Sequence, residues 1–472
     1  MIMRKFQSSN QKEFTYLIVV IVFFLLLASA LLSNFSFNVL FKARFGEVFF
    51  DMFKRLKVGD VSIDPSLLVG ERYIIHGKFI AYFLPFPAVI RGFLSIFKIG
   101  EYPIPSILMA ITLYSVSVYF LFKKVLKVLG NGRNDILVAW YPFFLLPMVS
   151  LFVEASVYWE SIIWALALFI TQAALFISFL YQPKMVKKYL LLLISGLVLF
   201  TRPTYLVGSC VLVVILFFWD LKFKNYSIRS LLPYCFFIFA VLLLAFLNYQ
   251  RWGDPLEFHP FKYYEEAGSD ERSRMAAVSP NLSLERIPQS LNFYFFISKS
   301  NFCSHPPFIK VGGERLPFFK SYFYYIEPSY PITLLLPFQV LFGLWGAFLL
   351  FRRNISNLNG KKILQLYFLV SIVPALLMSM LLFLALRYRA EFYAVLIFSS
   401  MIGIACLQNA FSKKKIFIIA FLITWMAFVL VVNGLFAERN FFYFVGAPMK
   451  NPKAVDTWFG VPYLTESSYY NY

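Results

Sequence analysis

Cysteine and histidine are scarce in this chain of 472 residues. Its four cysteines are too few for a disulfide framework, and Cys210, Cys235 and Cys406 lie inside apolar runs. The three histidines are scattered along the sequence, without the close spacing that zinc ligands need. These absences exclude a disulfide-stapled domain and give no indication of a zinc site.

Acidic residues are also few, 24 against 44 lysines and arginines, which gives a net charge of +20. Such an excess can indicate nucleic-acid binding. Charged residues, however, make up only 14% of the chain, whereas 60% is hydrophobic and 20% aromatic. A mean hydropathy of +0.70 lies above the range of soluble domains. The composition therefore predicts an all-α polytopic membrane protein, with aromatic side chains at lipid-facing surfaces and interfaces.

Eleven apolar segments, within a range of ten to thirteen, are predicted to cross the membrane. They cover residues 14–35, 103–122, 136–152, 161–181, 189–200, 204–219, 230–247, 332–351, 363–386, 391–410 and 416–436. The fifth and sixth segments are shorter than the ~20 residues that a perpendicular helix needs. Since Pro203 disfavours a helical conformation at Arg202, we expect a broken hairpin or one bent re-entrant element there.

Positive charge is concentrated in the short loops on one side of this layout. The pieces 1–13, 123–135, 182–188, 220–229, 352–362 and 411–415 contain 20 of the lysines and arginines but only three acids, Glu13, Asp135 and Asp220. The positive-inside rule therefore predicts a cytoplasmic amino terminus and an exterior carboxy terminus. Topology explains the basic excess, so nucleic-acid binding is disfavoured, and the remaining acids point to chemistry on the exterior face.

Two longer polar stretches lie on that exterior face. The sequence predicts a single integral-membrane domain over 1–472, with a first exterior loop at 36–102 and a second at 248–331. The second loop is rich in tyrosine and phenylalanine, which favours a folded cap over a disordered linker. Its prolines disfavour long helices.

The first loop carries the acidic residues that are the candidates for catalysis. In order of preference they are Asp60, Asp64, Asp51 and Glu47, because a carboxylate at a partly dry interface can serve as a general base. Gly59 before this run and a proline after it favour a turn. Glu71, further along the loop, is a candidate for substrate binding. A merely solvated surface loop is the alternative interpretation.

Two arginines lie where the chain re-enters the membrane. Arg202 is flanked by strongly apolar stretches, so it needs an anionic partner, and the phosphate of a lipid carrier would provide one. The alternatives are snorkelling to the interface or an ion pair with Glu154 or Glu160. Arg387 opens a late span and is a second candidate for phosphate. If that turn is helical, Arg387 and Glu391 are four residues apart and form a pair instead.

Three further candidates for substrate binding belong to the same side of the membrane. Arg91 could hold a phosphate, as the two arginines above could. Glu160 lies in a short turn beside an aromatic pair, where a carboxylate is unusual, although the aromatic residues alone are ordinary interfacial anchors. Tyr82 opens the aromatic and proline-rich stretch that ends at Pro87.

These features resemble the integral-membrane glycosyltransferases of the GT-C fold, in particular bacterial enzymes of the protein mannosyltransferase and aminoarabinose transferase type. The resemblance is carried by residues 44–47 (Arg-Phe-Gly-Glu), the dipeptide Gly59-Asp60, the stretch from Tyr82 to Pro87, and the dipeptide Arg387-Tyr388. This likeness covers about sixty residues of the first loop. Outside the loop, the chain resembles the family only in its predicted topology of ten to thirteen helices with exterior loops. The family often has a pair of acidic residues some fifteen positions before the Gly-Asp dipeptide. Here that position is Arg44-Phe45, which cannot act as a base.

The resemblance implies an enzyme that moves a sugar from a polyprenyl-phosphate donor to a lipid or glycan acceptor on the exterior face. It also implies residence in the bacterial cytoplasmic membrane, among membrane lipids. No cofactor is certain, and a divalent cation stays an open alternative. A surface-polysaccharide polymerase or ligase, or a transporter or flippase of lipid-linked sugars, are the other functions that the sequence allows.

Overall fold

The computed structural model describes residues 2–33, 35–41, 46–67, 73–75, 77–130, 133–153, 155–222, 228–258, 282–296, 325–326, 330–352, 358–381, 383–384, 386–407 and 413–446. Structural statements below refer to these residues. They form a helical protein with two very small sheets. This architecture confirms the predicted all-α polytopic fold class.

The helices in chain order are α1 (Ile2–Leu32), α2 (Val48–Leu56), α3 (Phe86–Ser95), α4 (Pro103–Val128), α5 (Asn134–Trp140), α6 (Leu146–Val149), α7 (Val157–Tyr181), α8 (Met185–Leu199), α9 (Pro203–Lys222), α10 (Ile228–Trp252), α11 (Ile287–Phe295), α12 (Ile332–Leu335), α13 (Pro337–Phe351), α14 (Leu358–Met380), α15 (Ala390–Leu407) and α16 (Lys413–Gly446). The strands are β1 (Tyr73–Ile75), β2 (Lys78–Ile80), β3 (Tyr325–Ile326) and β4 (Phe383–Leu384).

Within these ranges, eight helices are long and apolar enough to cross a membrane: α1, α4, α7, α9, α10, α14, α15 and α16. The protein is therefore an integral, multi-pass membrane protein. α8 and α13, with 15 residues each, are shorter. The predicted span 136–152 is helical but broken. Pro142 opens a 3₁₀ turn between α5 and α6, and α6, which contains Pro147, has only four residues. The count of eleven spans stays a prediction.

The core of the bundle is formed by α4, α7 and α15, which are the most buried of the long helices. α13 packs very closely on α15 through glycines. A Cβ atom on Gly346 would lie only 1.8 Å from the backbone oxygen of Ser399, and one on Gly403 would lie 2.3 Å from that of Phe342. Small residues at a helix contact let two backbones approach in this way, as is common in membrane bundles.

α8 and α9 form the first of the two expected arrangements, a broken hairpin. α9, with 20 residues, is longer than the predicted segment 204–219. α8 ends at Leu199 and α9 begins at Pro203, so Arg202 lies at the turn. Ser195 and Ser209 are each seven residues from Arg202, and the Ser209 hydroxyl donates to the Ser195 carbonyl oxygen at 3.0 Å. The Gln172 side chain on α7 donates to both serine hydroxyls at 2.7 Å. The hairpin is thus held to the core by buried polar contacts.

The first loop folds as α2, a β1–β2 hairpin and α3. Two of its glycines bring α2 against α3: a Cβ on Gly92 would meet the Phe53 ring at 2.2 Å, and one on Gly100 would meet Phe50 at 2.9 Å. The predicted turn after α2 is confirmed, since Gly59 has φ +78° and no helix continues through the following residues. This unit covers one end of the bundle.

Parts of the second predicted loop are also described. α10 extends to Trp252, which packs on Tyr73 of the hairpin with ring centroids 5.2 Å apart. α11 docks on the end of α14, where the Ser290 hydroxyl donates to the Ser379 carbonyl oxygen at 2.8 Å. β3 pairs in parallel with β4. Residues 259–281, 297–324 and 327–329 lie outside the described ranges.

Candidate functional site

Arginine and tyrosine side chains from distant parts of the sequence meet at the end of the bundle that the first loop covers. Arg202, at the α8–α9 turn, forms an ion pair with Glu391 of α15, with an N–O distance of 3.0 Å. The Arg202 guanidinium carbon also lies 5.3 Å from the centroid of the Tyr388 ring. The alternative pair between Arg387 and Glu391 is therefore wrong, because Glu391 pairs with Arg202 instead. Of the two alternative partners of Arg202, Glu160 pairs with Arg91, and Glu154 lies outside the described residues.

Arg387 contacts the other side of this cluster. Its guanidinium carbon lies 5.4 Å from the Tyr388 ring centroid and 4.5 Å from that of Tyr158. Tyr158 in turn packs edge-on against Phe83, at 5.4 Å between centroids, and Phe83 stacks on Tyr82 at 4.3 Å. A continuous row of side chains thus links the first loop to the two arginines. We call the set Tyr82, Phe83, Tyr158, Arg202, Arg387, Tyr388 and Glu391 the arginine–tyrosine cluster.

Hydrogen bonds to backbone carbonyl groups position the loop part of this cluster against the helices. The Phe86 amide at the start of α3 donates to the Phe200 carbonyl oxygen at 2.9 Å, which fixes the loop beside Arg202. Arg251 near the end of α10 donates to the Phe83 carbonyl oxygen at 2.8 Å. Both α9 and α15 begin at the cluster, and helix N-termini carry partial positive charge. Together with two guanidinium groups, this arrangement favours an anion.

Glu391 is the buried acid of the cluster. Its carboxylate is fully buried, whereas the Arg202 side chain is 13% exposed. One carboxylate oxygen, Oε1, forms the ion pair with Arg202 and accepts a hydrogen bond from the Thr204 hydroxyl at 3.2 Å. The other oxygen, Oε2, has no hydrogen-bond partner among the described residues.

Arg91 and Glu160, both predicted to bind substrate, contact each other. The Arg91 guanidinium donates to both carboxylate oxygens of Glu160 at 3.0 and 2.9 Å, and neither side chain is exposed. Arg91 also donates to the backbone oxygens of Gly46 and Gly100, at 2.9 and 3.0 Å. The pair therefore ties both ends of the α2–α3 unit to α7.

The acids of the first loop form a separate group around Arg55. Asp60 accepts hydrogen bonds from the Ser62 hydroxyl at 2.6 Å and the Ser62 amide at 3.1 Å, and it pairs with Arg55 and Lys78 at 3.4 Å each. The hydrogen bonds from Ser62, supported by Lys78, lower the pKa of Asp60 to about 2. A carboxylate with so low a pKa is a weak base.

Asp64 and Asp51 adjoin this group. Asp64 accepts from the Ser66 hydroxyl and amide at 2.6 and 2.8 Å, and these bonds lower the pKa of Asp64. Oδ2 of Asp51 accepts from Arg55 at 3.0 Å and from the Asp64 amide at 2.8 Å. Glu47, at the N-cap of α2, is four residues before Asp51, so both acids lie on one face of that helix.

The structure thus brings together only some of the predicted site residues. Arg202, Arg387 and Tyr82 belong to one cluster, and Asp51, Asp60 and Asp64 to another. Within the described ranges, no ion pair or hydrogen bond joins the two groups, and no group of three or more His, Cys, Asp or Glu side chains is arranged to hold a metal ion. Glu71 lies outside the described residues.

Sequence reasoning gave no site role to Tyr158, Tyr388, Thr204 or Glu391. The signal for the two tyrosines was their adjacency to Trp159 and Arg387, but aromatic residues at membrane interfaces are common. Glu391 is one turn after Arg387, which made a local pair the simpler interpretation. Its actual partner, Arg202, is 189 positions away in the chain.

No protein-family model matches the chain, and no curated protein matches it in sequence. Solved structures are similar to it. The archaeal oligosaccharyltransferase AglB from Archaeoglobus fulgidus, in complex with an inhibitory peptide and a dolichol-phosphate, aligns with a TM-score of 0.50 and 13% identity. An apo structure of the Archaeoglobus fulgidus oligosaccharyltransferase aligns with a TM-score of 0.50 and 15% identity.

Each alignment covers 90% of this chain and 56% of the other, so the chain spans little more than half the length of the proteins it matches. At these identities the likeness concerns the fold. It confirms the predicted GT-C-like fold.

Proposed function

We propose that this protein is a glycosyltransferase that moves a sugar from a polyprenyl-phosphate donor to an acceptor on the exterior face of the membrane. The observation that carries the proposal is the meeting of Arg202 and Arg387 around Tyr388, at the bundle end covered by the first loop. The GT-C-like fold supports it as an analogy between folds, since one fold can host several activities.

Phosphate binding is assigned to the two arginines. Guanidinium groups suit phosphate oxygens because they present several N–H donors in one plane. Among the described contacts, Arg202 uses its guanidinium for Glu391 and the Tyr388 ring, which leaves donors for a ligand. Positive charge on the departing phosphate stabilises the charge that develops as the sugar leaves.

The sugar is assigned to the aromatic part of the cluster. Tyr82 and Tyr158 have flat rings with hydroxyl groups, which can pack on a sugar ring and bind its hydroxyls. Phe83 lies between them. Residues 248–331 are proposed as a cap beside this region, because α11 already packs there: Tyr294 and Phe295 both contact Phe392, at 5.2 Å between centroids.

In the proposed step the acceptor oxygen bonds to the anomeric carbon of the sugar, and the bond between that carbon and the phosphate oxygen breaks. The phosphate leaves with the electron pair, as polyprenyl phosphate. The acceptor's proton passes to a carboxylate of the first loop. We assign this role to Asp51 ahead of Asp60 and Asp64, whose carboxylates are held in turns and have lowered pKa values.

The divalent cation that the sequence leaves open is given no role in this step. The described acids do not form a ligand set for one, so the arginines are given the role of stabilising phosphate. The exterior orientation and the cytoplasmic amino terminus rest on the distribution of lysine and arginine. Residence in the bacterial cytoplasmic membrane rests on the resemblance to the family. Lipid and glycan acceptors are both compatible with a site at the membrane surface.

A surface-polysaccharide polymerase or ligase is the second candidate. Such an enzyme would depend on the arginine pair and less on the acids of the first loop, and the separation of those two groups in the structure is compatible with it. A transporter would need no acceptor.

One experiment separates these functions. Purified protein in lipid nanodiscs is incubated with a panel of polyprenyl-phosphate sugars, polyprenyl-diphosphate-linked glycans and candidate acceptors, and the products are identified by mass spectrometry. Release of polyprenyl phosphate together with a glycosylated acceptor supports the proposal. Consumption of a diphosphate-linked glycan alone favours the polymerase or ligase, and unchanged donors with every acceptor contradict an enzymatic role.

A further inference from the structure

We propose that Glu391 is an internal counter-ion for Arg202 that weakens the binding of the product phosphate and so speeds its release. The proposal rests on the proposed function, because it assumes that Arg202 holds the donor phosphate. It assigns to Glu391 a positioning role, exerted through Arg202.

The geometry shows two charges of opposite sign in unequal surroundings. Glu391 is completely enclosed, and its Oε1 lies 3.0 Å from the Arg202 guanidinium. Arg202 is partly exposed, on the side of Tyr388 and Arg387. A phosphate that binds Arg202 therefore arrives from the exposed side and shares the guanidinium with a carboxylate that cannot leave. Like charges held this close in a poorly solvated site repel strongly.

This repulsion acts more strongly on the product than on the donor. A polyprenyl-phosphate sugar is a phosphodiester with one negative charge. After transfer the same phosphate is a monoester, which carries about −1.5 to −2 at neutral pH. Without a compensating acid, the arginines would therefore hold the product more tightly than the donor. The fixed charge of Glu391 offsets that preference, and product release limits the turnover of many enzymes.

The connection between α9 and α15 does not depend on the carboxylate alone. The Tyr205 hydroxyl on α9 donates to the Ala390 carbonyl oxygen at the start of α15, at 2.9 Å. A carboxylate kept only for that connection would gain from having both oxygens bonded, yet Oε2 of Glu391 has no partner among the described residues. The arrangement therefore suits an electrostatic role better than a purely structural one.

The test compares the parental protein with Glu391→Gln, which keeps the size and the contact with Thr204 but removes the charge. Affinities for polyprenyl phosphate and for a polyprenyl-phosphate sugar are measured in nanodiscs at pH 7.5. We expect polyprenyl phosphate to bind about three- to tenfold more tightly, the donor to change less, and turnover to become more sensitive to product inhibition. Weaker or unchanged binding of polyprenyl phosphate overturns the proposal.

Two matched variants control for general effects. Asp135→Asn also removes the charge of an acid that pairs with an arginine, but outside the cluster, and should not tighten phosphate binding. Arg202→Gln should weaken both ligands. If Arg202→Gln leaves both affinities unchanged, the proposed function fails at its phosphate site. If Arg202→Gln weakens binding but Glu391→Gln does not strengthen it, only the counter-ion role fails.

A second variant covers the case in which Glu391→Gln does not accumulate. Glu391→Asp keeps the charge but shortens the side chain, which withdraws the carboxylate from Arg202. Tighter binding of polyprenyl phosphate, smaller than that expected for glutamine, supports the counter-ion role. Parental or weaker binding by this variant overturns it.

Discussion

Arg91 and Glu160 form a bidentate ion pair that is closed off from solvent, 69 positions apart in the sequence. The same guanidinium holds the backbone on both sides of the α2–α3 unit, at Gly46 and Gly100. The pair thus fixes both ends of the α2–α3 unit on α7. Its geometry indicates a role in the architecture of the site, while the predicted role in substrate binding stays untested.

Breaking this pair should destabilise the protein. Glu160→Gln and Arg91→Gln each leave a buried charge without its partner, at a cost of about 3–5 kcal/mol. We expect lower membrane abundance and an earlier loss of structure in a thermal-unfolding assay in detergent. If the variants have the parental stability but no longer bind the donor, the pair belongs to the substrate site, as the sequence predicted.

Removing either arginine of the cluster should weaken donor binding. Arg202→Gln and Arg387→Gln each delete charge-assisted contacts worth about 1.5–3 kcal/mol, which corresponds to a roughly 10- to 100-fold higher dissociation constant. Binding of a polyprenyl-phosphate sugar measures this directly. Arg133→Gln is the matched control, because Arg133 pairs with Asp135 near the opposite end of the bundle. An equal loss in the control would indicate a general effect of charge.

Substitutions of the first-loop acids should separate the base from the turn formers. Asp51→Asn should lower turnover by ~10²–10⁴-fold with donor binding nearly intact, since a base acts in the chemical step. Asp60→Asn and Asp64→Asn should reduce turnover far less, through the turns they stabilise. The reverse pattern, with Asp51→Asn active and Asp60→Asn inactive, would restore the order of preference that the sequence suggested.

The first loop should lose stability in acid over a defined range. The pKa of Asp60 is about 2 in the folded protein, below the ~3.9 of an unfolded chain. Its ionised form therefore stabilises the fold fully above about pH 4, and this contribution disappears as the pH falls towards 2. Limited proteolysis of the loop between pH 5 and 2 should show a transition that Asp60→Asn reduces, with Asp64, whose pKa is also lowered, contributing the remainder. A transition that is identical in the variant would assign it to another group.

The predicted orientation can be tested with reporters. A fusion after Tyr472 should be active only if the reporter works outside the cytoplasm, and single cysteines in the loop 182–188 should be labelled only after the membrane is opened. Both expectations follow from the concentration of lysine and arginine on one side. A cytoplasmically active fusion at Tyr472 would invert the topology or change the number of spans by one.

Composition and local sequence determined the class of this protein. Long apolar runs form helices in a membrane, because a helix pairs the backbone N–H and C=O groups with one another within the segment, where no water is available. The break at Arg202 was also readable, because Pro203 restricts the residue before it. The turn at Gly59 followed from a residue that tolerates positive φ. These are local effects, so the sequence sufficed.

The composition of the site was decided only by the tertiary structure. Arg202 pairs with Glu391 of α15. The sequence requires only that a buried arginine has an anionic partner, and several acids predicted on the same side of the membrane meet that requirement. Arg91 and Glu160 looked like binding groups until packing enclosed them. Which charges pair depends on how helices far apart in the sequence are packed, and periodicity and charge counts carry no information about that packing.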